Sequence, residues 1–319
     1  METLHLTKHQ SFGNDFLVTV LEDERHEKLQ NRNIDWPEVA RIVCDRRLGI
    51  GADGLIVGIA SGEFASGDTV RMLLFNSDGS SAKTSGNGMA CLGQALALSK
   101  TEWRAQIGEG ADFSLNVVVE AEGGLYSVFT SSRVDDCVDG KMIFSYECAD
   151  VEMPPVGDGP GISEALSEVI NRDFPGGLCA TGDVGNPHLV IATRRSVDEA
   201  ETATFGQAYE RHFVGGINVE FIWPTDVDGS ASDGGRSINM TVWERGAGIT
   251  LACGSGAVVA ATRAVEWGLV EGDGVIGVRM PGGATSVVTQ PITPTPMLSV
   301  YPVHVADVQW TLGERFLDA

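Results

Sequence analysis

The sequence predicts an α/β protein of the α+β type, with two pseudo-symmetric domains that each wrap a mixed or antiparallel sheet around one apolar helix. Helical patterns at Met89–Leu98 and Ala257–Val265 are apolar nearly all round, so both helices are expected to be buried. A Gly-x-Gly turn precedes each helix, at 86–88 and at 254–256. Strand-like segments fill most of the remaining chain. This order of elements repeats in the two halves, which indicates a duplicated domain.

The length of 319 residues, of which 43% are apolar and 21% charged, suits a globular chain of two domains. A stretch rich in proline and glycine at 154–161 is predicted to cross from one domain to the other. We expect the first domain to hold residues 1–149 and 298–319, and the second to hold residues 150–297.

Short strands are predicted in the first half wherever apolar and β-branched residues run between turn residues. They lie at Leu4–Leu6, Phe16–Val20, Leu55–Val57, Val70–Phe75, Phe113–Ser131 and Lys141–Tyr146. The turn between the last two is predicted at Asp135, Asp136, Asp139 and Gly140. A helix is predicted from Trp36 through Val43, because proline at its second position is favoured in a first helical turn.

The second half follows the same rules. Polar tips lead into predicted strands at 185–191 and 218–222, and a hairpin is predicted at Pro281-Gly282-Gly283. Further strands are predicted at Ile238–Trp243, Leu298–Val303 and Val308–Leu312.

The charge of the chain argues against two classes of partner. The 22 Lys and Arg residues against 44 Asp and Glu residues give a net charge of −22, which disfavours binding to nucleic acid or to an anionic membrane. A small, partly cationic molecule suits this charge better. The N-terminus has no basic segment followed by an apolar one, and no apolar run is long enough to cross a bilayer, so a cytoplasmic location is expected. The sequence leaves open whether the chain forms a homodimer.

No metal or cofactor is predicted. The cysteines form no C-x-x-C pair, so neither a disulfide framework nor a zinc site is expected. Gly49, Gly51 and Gly54 satisfy G-x-G-x-x-G, but a helix precedes this motif and a strand follows it, which is the reverse of a dinucleotide-binding unit. The lysines stand in no recognisable Schiff-base context.

The two Gly-x-Gly turns are the candidate sites. Cys253 lies where the second turn passes into a helix, so its sulfur is expected among free backbone N–H groups, where a thiol loses its proton more readily. Ser85 occupies the matching position before the first helix. The chain is thus predicted to carry two related helix-start sites, one with a thiol and one with a hydroxyl.

Several motifs together resemble a known family. They are Gly13-Asn14-Asp15-Phe16, Asp45-Arg46 with Gly51-Ala52-Asp53-Gly54, Phe75-Asn76-Ser77-Asp78-Gly79, Gly86-Asn87-Gly88, Gly185-Asn186-Pro187-His188, Asn218-Val219, and Glu244-Arg245-Gly246-Ala247-Gly248 with Ala252-Cys253-Gly254-Ser255-Gly256. In this order, and over nearly the whole chain, they resemble diaminopimelate epimerase, a family of cofactor-independent, two-base amino-acid racemases and epimerases.

The resemblance implies two similar α/β domains, an active site in the cleft between them and one catalytic residue from each. The implied isomerase reaction interconverts LL- and meso-2,6-diaminopimelate, in the biosynthesis of lysine and peptidoglycan precursors. Cys253 is implied as one catalytic residue, and Ser85 stands at the position of the other. His188 and Glu244 fall on positions implied to tune the pKa of the catalytic pair. The implied substrate-binding residues are Asn14, Asn76, Gly86, Asn87, Asn186, Asn218, Glu244, Arg245, Gly254 and Ser255.

Two residues depart from the family pattern. Gly54 stands where the family usually has a glutamine that contacts the ligand. Ser85 replaces a cysteine, and a hydroxyl holds its proton several pKa units more tightly than a thiol does. A helix terminus contributes about 1–2 kcal/mol, which moves a pKa by only about one unit. Ser85 is therefore not expected to be a resting base, but it can donate a proton while Cys253 abstracts one.

Three hypotheses remain open on the sequence alone. In the first, the family reaction persists in an asymmetric Ser/Cys form. In the second, Ser85 makes the protein a catalytically impaired or binding-only homologue. In the third, the scaffold epimerises or dehydrates another amino acid, such as a proline derivative.

Overall fold

A computed structural model describes residues 2–62, 64–99, 113–138, 141–225, 236–270, 274–289 and 295–313. It divides into two compact units, residues 1–151 with 300–319 and residues 152–299. The first boundary falls beside the stretch rich in proline and glycine. Among the described residues, no helix combines the length and the apolar character needed to span a bilayer.

Strands and helices follow one another along the described chain in this order: β1 (Glu2–Ser11), β2 (Asn14–Glu22), α1 (Asp23–Gln30), α2 (Trp36–Val43), β3 (Gly54–Ala60), β4 (Thr69–Asn76), α3 (Gly86–Ser99), β5 (Phe113–Ala121), β6 (Gly124–Val138), β7 (Lys141–Glu152), α4 (Glu164–Asp173), β8 (Leu178–Asp183), β9 (Pro187–Ala192), α5 (Glu199–Glu210), β10 (Asn218–Pro224), β11 (Ser237–Glu244), β12 (Gly248–Thr250), α6 (Gly254–Glu266), β13 (Val275–Met280), β14 (Gly283–Val288), β15 (Met297–Val300) and β16 (Val303–Leu312).

The first unit is a mixed sheet with a helical layer on each face. Its strand order is β16-β1-β2-β3-β4-β5-β6-β7, in which β2–β3 and β4–β5 are parallel pairs. Leu55 and Val57 of β3 join the core formed with α1 and α2. Successive strand residues face opposite sides of a sheet, so Ile56 and Gly58 face α3, whose Leu92 lies against Gly58. Helix α3 is buried from residue 86 through residue 97.

The second unit has the same plan. Its strand order is β15-β14-β13-β11-β10-β9-β8, with β12 paired to β11, and β9–β10 and β11–β13 are parallel. Leu189 and Ile191 of β9 and Phe221 of β10 pack against α4 and α5. By alternation, His188 and Glu220 face α6 on the opposite side. Two polar side chains therefore enter an otherwise apolar layer, beneath the start of α6.

The structure confirms the α+β class and both buried helices, although each begins three residues earlier than its apolar pattern. The predicted helix at Trp36–Val43 is confirmed, as are the main strands and the hairpin at 281–283. The turn predicted at Asp135 and Asp136 is wrong, because β6 continues through Val138. Asp136 pairs with Ile143 of β7, and Asp135 lies at a register shift between Val134 and Asp136. Asp139 and Gly140 lie outside the described residues. Helices α1, α4 and α5 and strand β8 were not predicted.

Candidate active site

The two helix starts have the same local structure. Cys253 is the N-cap of α6, where its Sγ accepts a hydrogen bond from the Gly256 N–H at 3.4 Å and its carbonyl accepts from the Ala257 N–H at 2.9 Å. Ser85 precedes α3, where its Oγ accepts from the Gly88 N–H at 3.0 Å and its carbonyl accepts from the Met89 N–H at 2.9 Å. Each side chain therefore caps its helix by accepting a hydrogen bond from the backbone N–H three residues later. Serine commonly has this capping role and cysteine seldom does.

A series of polar contacts runs from Cys253 to a buried carboxylate. The Cys253 Sγ lies 3.5 Å from the Ser255 Oγ, and Asn186 Nδ2 donates to that hydroxyl at 3.3 Å. The Asn186 Oδ1 lies 3.2 Å from His188 Nε2, and His188 Nδ1 lies 2.6 Å from the Glu220 Oε1. The second unit thus brings together four of the candidate site residues predicted from the sequence: Cys253, Ser255, Asn186 and His188.

Glu220 is the residue of this group that sequence reasoning missed. It is fully buried in β10, and its Oε2 has no hydrogen-bond partner among the described residues. Buried acceptors are almost always paired, so an orphaned carboxylate oxygen calls for an explanation. The signal in the sequence is a single glutamate inside the apolar strand Asn218–Pro224, but this glutamate lies outside the matched motifs.

Gly256 allows this carboxylate to reach the thiol. A Cβ added at Gly256 would lie 2.5 Å from the Glu220 Oε1 and 3.2 Å from the Cys253 Sγ. Any side chain there would push the carboxylate or the sulfur away. The glycine after Ser255 is therefore required by the close approach of β10 to the first turn of α6.

The pKa of the Cys253 thiol is raised well above its usual range, chiefly by burial and further by the negative charges of Glu244 and Glu220. The hydrogen bonds from Ser255 and from the Gly256 N–H lower it, but they do not compensate. The expectation that the helix start leaves a readily ionised thiol is therefore wrong for this structure. Desolvation outweighs the helix terminus, and the resting thiol is protonated.

Glu244, Arg245 and Asn218 form a second group near the end of β11. The Asn218 Oδ1 accepts from the Arg245 backbone N–H at 2.8 Å, and the Glu244 Oε1 accepts from the Thr250 hydroxyl at 2.5 Å. The Arg245 side chain is exposed and donates to the Gly215 carbonyl at 3.1 Å. The amide oxygen of Asn218 is thus occupied by a hydrogen bond from the backbone of Arg245.

In the first unit, Asn14 is held from two sides. Its Nδ2 donates to the Asp53 Oδ2 at 2.8 Å, and its Oδ1 accepts from Asn87 Nδ2 at 3.4 Å. Arg46 donates to Asp53 and to Asp15, at 2.7 Å in each case. Burial raises the pKa of the Asp15 carboxyl, but hydrogen bonds from Arg46 and from a lysine outweigh it, so that pKa is lowered overall. The Asp45-Arg46 motif is structural, because Arg46 fixes the loop that orients Asn14 beside the start of α3.

Asn76 and Gly54 lie directly opposite each other on β4 and β3. Asn76 is exposed, and its Nδ2 donates to the Ser80 Oγ at 3.0 Å. A Cβ at Gly54 would lie 2.7 Å from the Phe75 carbonyl oxygen. A side chain at position 54 therefore does not fit this backbone without a shift of β4.

Comparison with known proteins decides the family. A model of the diaminopimelate epimerase family matches residues 8–125 and 181–299. The chain belongs to the diaminopimelate epimerase family. Among its relatives, the diaminopimelate epimerase of Gloeothece citriformis is 31% identical over 290 residues, covering 89% of this chain and 90% of that protein. That of Synechococcus elongatus is 32% identical over 294 residues, with 89% and 90% covered.

Solved structures show the same two-domain fold. A hydroxyproline epimerase from Agrobacterium vitis superposes with a TM-score of 0.62 at 13% identity, covering 99% of this chain and 97% of that one. A phenazine biosynthesis protein of the PhzF family from Bacillus anthracis has a TM-score of 0.56 at 14% identity, with 98% and 100% covered. The membership of the epimerase family makes the protein an amino-acid epimerase by class.

Proposed function

We propose that the protein interconverts LL- and meso-2,6-diaminopimelate by proton transfer at Cα, with Cys253 as base and Ser85 as the proton donor on the opposite face. Its relatives are diaminopimelate epimerases, which supports the substrate. The observation that carries the proposal is the pair of matched helix starts, each with a proton-bearing side chain at its N-cap. Cytoplasmic location and independence from a cofactor stay predictions of the sequence.

The reaction breaks the Cα–H bond on one face and forms a new one on the other. The Cys253 thiolate takes the Cα proton, and the Ser85 hydroxyl supplies a proton to the carbanion, after which solvent reprotonates the serine oxygen. Backbone N–H groups at the helix starts stabilise the charge that develops on the substrate carboxylate, as an oxyanion hole does. The chemistry is thus confined to two proton transfers and the binding that positions them.

Cys253 must first lose its own proton, because burial and two carboxylates keep the thiol neutral. We assign Glu220 as the acceptor: one of its carboxylate oxygens lies within 4.8 Å of the Cys253 Sγ, and the two atoms must approach to hydrogen-bond distance before the proton moves. The S–H bond breaks and an O–H bond forms on Glu220, while His188 stays hydrogen-bonded to the same carboxyl group. Glu220 then releases this proton to solvent, which balances the proton that solvent returns to the Ser85 oxygen, and is ready to prepare the base for the next turnover.

Substrate binding is assigned to polar groups around each helix start. In the first unit they are Asn14, Asn76, Gly86 and Asn87; in the second they are Asn186, Asn218, Glu244, Arg245, Gly254 and Ser255. Arg245 supplies a planar guanidinium, which binds a carboxylate through two hydrogen bonds. Its exposed position leaves it accessible to a distal carboxylate of the substrate.

A second candidate function follows from Ser85 itself. Its hydroxyl already accepts a hydrogen bond from the helix and has no basic neighbour among the contacts described for it. A protein that uses Ser85 only for capping would bind diaminopimelate with little turnover.

The test compares the natural chain with Ser85→Cys and Cys253→Ala, using LL-diaminopimelate as substrate and resolving the stereoisomers formed. We expect measurable epimerisation by the natural chain, a gain of at least about tenfold for Ser85→Cys, and none for Cys253→Ala. Activity only in Ser85→Cys would favour the binding-only alternative. Inactivity of both the natural chain and Ser85→Cys would remove diaminopimelate epimerisation.

A further inference from the structure

Three potential metal ligands of different chemistry meet beneath the start of α6. One ligand atom from each of His188, Glu220 and Cys253 lies within 4.8 Å of the other two. In a tetrahedral zinc site, ligand atoms are about 3.3–3.8 Å apart, since metal–ligand bonds are about 2.0–2.3 Å long. Movements of about 1 Å would therefore bring this set to coordinating distance.

The three side chains come from rigid elements. His188 and Glu220 belong to the parallel strands β9 and β10, and Cys253 caps a buried helix. His188 and Glu220 are 0% exposed and Cys253 is 6% exposed, so a cation would enter past the thiol and leave its water behind. A site on rigid, buried elements loses little side-chain entropy when it closes on an ion.

The site holds one buried carboxylate, and a metal that displaces the thiol proton adds a second negative charge. The Glu220 Oε2 is buried without a partner among the described residues, whereas the Oε1 lies 2.6 Å from His188 Nδ1, so a bound cation would either use the free Oε2 or replace the contact between His188 and the Oε1. A thiolate and a carboxylate together carry two negative charges, so a divalent cation makes the set neutral. A thiolate, an imidazole and one carboxylate favour borderline or soft metals such as Zn²⁺ over Mg²⁺.

We propose that His188, Glu220 and Cys253 bind one Zn²⁺ or Cd²⁺ ion, with a fourth position left to water. Binding releases the thiol proton to solvent and forms the metal–sulfur bond. The Cys253 lone pair is then no longer available for any reaction at the thiol. The sequence hides this site because its ligands come from three separate elements with no motif spacing.

The test titrates the full, metal-free chain with Cd²⁺ and follows the ultraviolet charge-transfer absorption of a Cd–thiolate bond. Competition with a coloured chelator then gives the affinity for Zn²⁺. We expect one ion per chain at this site, with affinity lowered roughly 100-fold in Glu220→Gln and in His188→Gln and with the charge-transfer band lost in Cys253→Ala. Mg²⁺ is expected not to compete.

Cys148→Ser is the matched control, because Cys148 is half-buried beside Asp150 at 3.8 Å and thus forms a thiol–carboxylate pair on another strand. Its affinity should stay within about threefold of the natural chain. Thermal unfolding of every variant checks that it is folded, and Glu220→Gln keeps the side-chain volume. Zn²⁺ binding weaker than about 100 µM, or unchanged affinity in the folded Glu220→Gln and His188→Gln variants, would overturn the proposal. Neither result depends on epimerase activity.

Discussion

Cys253 illustrates at the residue scale how burial can outweigh a helix terminus. The helix start provides an N–H hydrogen bond to the sulfur, but Cys253 is only 6% exposed, and this burial, together with the charges of two carboxylates, raises the pKa of its thiol. A raised pKa means that the thiolate fraction at neutral pH is small and grows about tenfold for each pH unit up to that pKa. The residue is therefore protected at rest and needs Glu220 to become a base.

Replacing Glu220 by glutamine should move two properties of Cys253 in opposite directions. The loss of a negative charge lowers the thiol pKa, so alkylation of Cys253 by iodoacetamide at neutral pH becomes faster. The loss of the proton acceptor lowers kcat for epimerisation roughly 100-fold. Mass spectrometry of the alkylated peptide and a stereoisomer assay measure the two effects.

Glu266→Gln is the control for that experiment, because Glu266 lies at the far end of the same helix in an exposed pair with Arg263. The Glu266→Gln variant should match the natural chain in both the alkylation rate of Cys253 and the kcat for epimerisation. If Glu220→Gln leaves kcat unchanged, Glu220 is not the proton acceptor. If its alkylation slows, its charge does not raise the thiol pKa.

At the element scale, the alternation of side chains between the two faces of a strand determines which residues face α6. Leu189 and Phe221 face the α4 and α5 core, and this leaves His188 and Glu220 facing α6. The sequence predicted β9, β10 and both buried helices because their apolar patterns are strong. It missed Glu220 because partners on neighbouring strands are decided by the β9–β10 register, in which His188 lies opposite Asn218, and no single segment records that register.

The same limit explains the other differences. Helices α1 and α5 were not predicted because their apolar patterns are weak: α1 is rich in charged residues, and α5 is rich in alanine and threonine. Tertiary packing stabilises such helices, and in α5 a capping box at Asp198 adds to it. Asp135 and Asp136 are turn formers by composition, yet Asp136 pairs with Ile143 of β7 and Asp135 lies at the register shift beside it, so β6 continues through both. The raised pKa of Cys253 depends on packing that a local motif cannot show.

Gly54→Gln should destabilise the first unit, although glutamine is usual there in the resembled family. The new Cβ would lie 2.7 Å from the backbone oxygen of Phe75, and overpacking of this kind costs about 1–3 kcal/mol. Urea unfolding measures the loss. Gly161→Ala is the control, since a Cβ there meets no atom within 4 Å. A Gly54→Gln variant as stable as the parent would mean that β3 and β4 can separate at this point.

At the scale of the whole molecule, the net charge of −22 determines the long-range electrostatic interactions. Like charges repel in a compact chain, and at low salt this repulsion acts over about 30 Å. A small, partly cationic ligand such as a diamino acid is attracted by the same field. The local ion pairs, such as Arg46 with Asp53, are partly exposed and contribute little against it.

Raising the NaCl concentration from about 0.01 M to about 0.3 M should therefore raise the Tm by a few degrees, because screening relieves repulsion more than it weakens exposed pairs. Scanning calorimetry measures the shift. Near the isoelectric point of about 4.5 the net charge vanishes, and the salt effect should vanish with it. A Tm that falls with salt at neutral pH would show that attractive pairs outweigh the repulsion.

Solvent isotope exchange at Cα tests most directly whether Cys253 and Ser85 act on one carbon from opposite faces. Each stereoisomer of diaminopimelate is incubated in D₂O with the natural chain, Ser85→Ala or Cys253→Ala, and deuterium and configuration are followed together. The natural chain should invert the centre with deuterium in the product. Ser85→Ala should exchange the Cα proton of one isomer without inverting it, and Cys253→Ala should do neither. Inversion by Ser85→Ala at the natural rate, or exchange by Cys253→Ala, would contradict the account.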